Sequence, residues 1–212
     1  MAGAHLSNRW AVRGADRLVN STLLGSLCPR GARCGGIGRM SVRRLWTSLP
    51  EPKRREVAHA IAQAYQPEGL PPDVVRLVAG AIGFRVSAIR RGDVGQTASC
   101  LYRALPALPP EAATTLLVRY HTAAQVELLS DVYDALGVEH DGVEVEDAVL
   151  EKAVDPDAAV RGVAALVGKH ATEDLHFCFG VMELVCSPAW HPAVVAVRTS
   201  LEGEPPPGRT GQ

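Results

Sequence analysis

Thr172-Glu173-Asp174-Leu175-His176-Phe177-Cys178-Phe179-Gly180-Val181-Met182-Glu183-Leu184-Val185-Cys186 is the most apolar helical stretch of the chain, and its spacing decides the fold. Leu175, Cys178, Phe179, Met182, Val185 and Cys186 recur at helical intervals as one stripe, while Phe177, Val181 and Leu184 form a second on another face. A helix apolar on two sides is buried on two sides, so this segment predicts the central helix of an all-α bundle. It also predicts the last long helix. Pro188 and Pro192 interrupt the pattern after it, and Glu202 to Gln212, with Pro205-Pro206-Pro207, has the composition of a disordered tail.

Upstream, Pro and Asp mark helix starts. Leu49-Pro50-Glu51-Pro52, Leu70-Pro71-Pro72-Asp73 and Leu108-Pro109-Pro110-Glu111 each set Pro near the first helical position with an acid in the first turn, and Asp155-Pro156-Asp157 adds an N-cap Asp. Between these starts run further stripes: Val57, Ile61 and Tyr65; Val74, Leu77, Val78, Ala81 and Ile82, closed by Gly83; Leu116, Leu117 and Tyr120; Leu128, Leu129, Val132 and Leu136. No hairpin signal appears, and Val143-Glu144-Val145-Glu146 is too short to found a sheet. The expectation is a compact multi-helix bundle with short loops: one helical domain over residues 40–201, divisible into packed halves at 40–106 and 107–201, followed by the tail at 202–212.

Composition narrows the function classes. With 47% hydrophobic and 21% charged residues the chain has a globular make-up, and no apolar run approaches the ~20 residues of a spanning helix. Lys plus Arg is 22 against 23 for Asp plus Glu, which gives no global claim on nucleic acid or an anionic membrane. The distribution is uneven, however. Residues 40–119 carry a net +5 and residues 120–212 a net −11, so the halves complement each other or one face recruits a charged partner. Arg85, Arg90, Arg91 and Arg103 form the basic side, but no interleaved aromatics or helix-turn-helix pattern accompany them, and nucleic acid ranks last among the partners.

Residues 1–39 carry six Arg against Asp16 alone. That composition fits a disordered leader, an upstream extension of a chain whose translation starts at Met40, a mitochondrial transit peptide or a functional basic arm. The first two readings go with a cytoplasmic protein. Arg outnumbers Lys 19 to 3, as in GC-rich bacterial coding.

Few residues point to chemistry. Tyr120, His121 and Gln125 cluster at the flank of a core stripe, with His121 at the stripe's edge, where an imidazole reaches both core and solvent. His140 and Asp141 open an acidic turn that continues through Glu144 and Asp147. A chain break near Ala124 is needed to bring that turn to His121, and the two histidines with their carboxylates are then the candidate binding or catalytic site. Cys178 and Cys186 are explained by the apolar stripe, which argues against zinc. No phosphate loop, dinucleotide fingerprint, calcium loop or zincin motif is present, so no cofactor is expected.

Leu49-Pro50 before an Arg-rich helix, then Tyr120-His121, then Ala135-Leu136-Gly137-Val138-Glu139-His140-Asp141-Gly142 together resemble small all-helical bacterial proteins of unknown function, over about residues 41–195. The resemblance implies a compact helical protein and assigns no functional residue. The reading taken forward is a non-enzymatic helical adaptor or regulator with a protein partner. A ligand-binding or catalytic protein using Tyr120, His121 and His140 is the alternative, and a nucleic-acid-associated protein using Arg85, Arg90 and Arg91 comes after it.

Overall fold

The computed structural model describes residues 40–203. The expectations for the leader and for tail residues 204–212 lie outside them, whereas Glu202 and Gly203, read from sequence as the start of the tail, are the last residues of the helix His191–Gly203. Eleven α-helices follow one another among the described residues: α1 Val42–Ser48, α2 Glu51–Ala64, α3 Pro72–Ile82, α4 Val86–Arg90, α5 Val94–Ala104, α6 Pro110–Ala124, α7 Val126–Ala135, α8 Asp147–Leu150, α9 Pro156–Ala164, α10 Thr172–Val185 and α11 His191–Gly203. Between α5 and α6 lies a 3-10 turn, Leu105–Ala107. No strand forms among these residues, and none of the helices is long and apolar enough to cross a membrane.

The helix starts are chemically explicit. Ser41 caps α1 by accepting from Arg44 N, Asp93 caps α5 by accepting from Gln96 N at 2.7 Å, and Asp155 caps α9 by accepting from Asp157 N. In α2, α3 and α6 a Pro stands at the first or second position, where its missing N–H costs nothing. Gly83 closes α3 with φ +70°, a left-handed conformation that glycine adopts without Cβ strain.

Two hydrophobic clusters fill the interior. One gathers α1 to α6; the other gathers α7 to α9 and α11. Helix α10 serves both: Phe177 and Val181 pack into the first, and Leu175, Cys178, Phe179 and Met182 into the second. The two-faced stripe therefore does what its spacing predicts. Gly180 lets α10 approach α1, since a Cβ there would overlap the Leu45 side chain.

Two expectations need correction. Helix α10 is not the last long helix. Pro192 stands at the second position of α11, inside the first turn, so it begins that helix rather than breaking the pattern. The α3 stripe is also rotated. Val75 and Ala79 are buried with Val74 and Val78, whereas Leu77 is 37% exposed and Ala81 lies at the surface, because α3 is packed on α5 along its Val74–Val78 side.

Candidate functional site

Tyr120, His121 and Gln125 do come together. Helix α6 ends at Ala124, Gln125 leaves helical geometry, and its side chain turns back to donate from Nε2 to Tyr120 OH at 2.8 Å. The phenol in turn donates to Glu56 Oε1 at 3.3 Å. Glu56 belongs to a tie across the seam: Lys53 Nζ lies 2.8 Å from Glu56 Oε1 and 2.6 Å from Asp174 Oδ1, joining α2 to α10. Burial pulls the Lys53 ammonium down, but the bonds to Asp174 and Glu56 outweigh it and hold the group charged well above its ordinary range. Burial pushes the Tyr120 phenol up despite the nearby ammonium.

His121 is not at a half-open edge. It is 3% exposed, because α6 is covered by α2 on one side and α10 on the other, which buries the flank of the stripe as well as its centre. Its Nδ1–H donates to Leu117 O one turn back at 3.0 Å, and its ring lies 5.0 Å from Phe177 and 4.9 Å from Tyr120. Burial drives its pKa down to about 4, against smaller raising effects from the Leu117 carbonyl and Asp174. A neutral enclosed imidazole beside a protonated phenol is aromatic packing material rather than an acid–base pair.

His140 and Asp141 form a separate group. Asp141 and Glu144 exchange backbone hydrogen bonds of 2.9 and 3.1 Å around Gly142, whose φ is +63°. His140 Nδ1–H donates to Gly142 O at 2.8 Å, its Nε2 lies 3.2 Å from Asp134 Oδ1, and its ring lies 5.4 Å from Tyr133. The imidazole's carboxylate neighbour is thus Asp134 at the end of α7, not Asp141. The chain break near Ala124 exists, yet no hydrogen bond, ion pair or ring contact joins this turn to Tyr120 or His121 among the described residues.

Two concavities among the described residues lie near charged side chains. The larger, about 450 Å³, runs between α1, α10 and α11 past Arg44, His176, Phe177 and Arg198. Its deepest charge is already matched: Arg198 Nε lies 2.6 Å from Glu183 Oε2, both side chains at most 9% exposed, and Arg198 also pairs with Glu202. The smaller, about 270 Å³, is an apolar groove along α5. Gln96, Ser99, Cys100 and Arg103 line one wall at i, i+3, i+4 and i+7, and Phe84, Ala88 and Ile89 line the other. Phe84 is 47% exposed, the most exposed large hydrophobic side chain among the described residues, and the Arg103 guanidinium stands 5.3 Å over its ring.

Arg103 in that wall belongs to a set of arginines on α3 to α5 that lack a carboxylate partner. Arg76, Arg85, Arg90, Arg91 and Arg103 form no ion pair with a carboxylate among the described residues, and Arg91 spends its Nε on Ser87 O. Lys53–Asp174 is the ion pair that links the basic half to the acidic half there, so internal complementarity leaves the α3–α5 arginines unmatched. Sequence reading names four of these arginines but misses Phe84, whose signal is its position one residue past the Gly83 helix stop, where no stripe claims it. Among the described residues no group of three His, Cys, Asp or Glu side chains is placed to hold a metal ion. Comparison with protein-family models, with curated proteins and with solved structures finds no match.

Proposed function

We propose that this protein is a non-enzymatic helical adaptor or regulator that docks a partner protein on the face formed by α3, α4 and α5. The observation that carries this reading is the half-exposed Phe84 lining an apolar groove under the Arg103 guanidinium, on a stretch of chain whose arginines form no ion pair with a carboxylate among the described residues. Exposed apolar surface framed by polar side chains is the usual mark of an interaction site, and aromatic and Arg side chains are the residue types that most often anchor one. The polar groups at Tyr120 and His140 are each engaged by neighbouring side chains and carbonyls, Tyr120 by Glu56 and Gln125 and His140 by Asp134 and Gly142 O, which favours a structural role for them over catalysis.

Capture from native lysate tests the reading. Full-length protein, Phe84→Ser, Arg103→Glu and, as a control at another exposed apolar position, Val126→Ser are compared. The expected result is a partner set retained by the wild type and Val126→Ser and lost by the other two, with all four unfolding cooperatively at similar temperatures. An identical partner set for every variant overturns the docking face.

A further inference from the structure

Resting on that reading, we infer that the groove's occupant is an acidic amphipathic helix of a partner protein. From the start of α3 to the end of α5, residues 72–104, the chain carries five arginines and two carboxylates, Asp73 in the first turn of α3 and Asp93, which is spent on capping α5. A partner segment entering this field gains from Asp and Glu and loses from Lys and Arg. Each wall has a buried apolar side chain, Ile89 5% and Cys100 8% exposed, so the groove takes side chains that leave water, not phosphates.

The shape selects a helix. The α5 wall runs over eight residues, Gln96 to Arg103, about 10 Å or two helical turns, and matches anchors spaced i, i+3 or i+4, and i+7 on a facing helix. No strand edge is present among the described residues for strand addition, and a helix entering the groove bonds its own backbone as it leaves water. Arg103, held over Phe84, fixes one wall before any partner arrives. A second copy of this chain is a poor occupant. Among the described residues its exposed large hydrophobics are Leu77 and Phe84, both on the basic α3–α5 stretch, and Val126.

The test selects peptides without prejudging them. A random 16-residue peptide library is displayed against immobilised full-length protein, with Phe84→Ser as the counter-target. Expected winners carry apolar residues at i, i+3 or i+4, and i+7 with net negative charge. Their binding weakens at least tenfold in Phe84→Ser and severalfold in Arg85→Glu/Arg90→Glu or on raising NaCl from about 50 to 300 mM. Basic or extended winners, no enrichment over the counter-target, tighter binding of a 20-nucleotide single strand that Phe84→Ser abolishes, or a dimer of the free protein that Phe84→Ser dissociates would each overturn the inference. If lysate capture still depends on Phe84 while the selected peptides are neither acidic nor helical, the adaptor reading stands and the helix assignment alone falls.

Discussion

Phe177 and Phe179 stand two residues apart on α10 and are both fully enclosed, yet they belong to different hydrophobic clusters. Two residues are about 200° of helical turn, so their rings leave the helix on nearly opposite sides. Each ring should therefore be costly to remove, by about 3 to 5 kcal/mol for Phe177→Ala or Phe179→Ala in denaturant unfolding, while Cys178→Ala, a smaller deletion, costs less. A loss under about 1 kcal/mol at either Phe contradicts a helix buried on both faces.

Gly180 and Gly162 answer differently to an added methyl group. At Gly180 the obstacle is the tip of Leu45, a side chain that can be cut back; at Gly162 it is the carbonyl oxygen of Ala135 at the end of α7. Gly180→Ala should cost about 1 to 3 kcal/mol and recover part of that in the Leu45→Ala background. Gly162→Ala should cost at least as much and show no such recovery with any truncation of a neighbouring side chain. Equal, additive behaviour at both glycines would contradict the α1–α10 contact.

His121 sets an acid limit on stability. Unfolded, it takes up a proton near pH 6.5; folded and enclosed, only near pH 4. The unfolded state thus binds more protons between those values, so the neutral imidazole leaves stability complete above pH 6.5 and erodes it as the pH falls through the window, by on the order of 3 kcal/mol at its lower end. Unfolding free energies at pH 7.5 and 4.5, compared between wild type and His121→Leu, measure this contribution. The same slope in both proteins refutes it.

Lys53 joins two carboxylates, and burial ranks them. Its side chain is 12% exposed; Asp174 is 27% exposed and Glu56 54%. A double-mutant cycle with Lys53→Met and Asp174→Asn should give a coupling of about 1 kcal/mol, and the cycle with Glu56→Gln less, because solvent screens the outer pair more. The reverse order removes Asp174 as the tie between α2 and α10.

Sequence alone determined four helix starts, those of α2, α3, α6 and α9, and the two-faced character of α10. Those signals act within one turn: a Pro at the first or second position, an Asp at the cap, apolar residues repeating along a single segment. Tertiary structure decided the rest. Leu77 and Val75 are equally apolar, and only the direction from which α5 meets α3 puts Val75 inside and Leu77 out. Pro192 reads locally as a break, but Ala193, Val194 and Val197 find α9 and α10 to pack on, and that burial sustains a helix. His121 is closed off by two helices, α2 and α10, distant in the chain, and His140 finds Asp134 rather than its sequence neighbour Asp141. The groove beside Phe84 is likewise a property of two helices meeting. Local spacing states what a segment presents, whereas burial depends on which distant surface arrives to cover it.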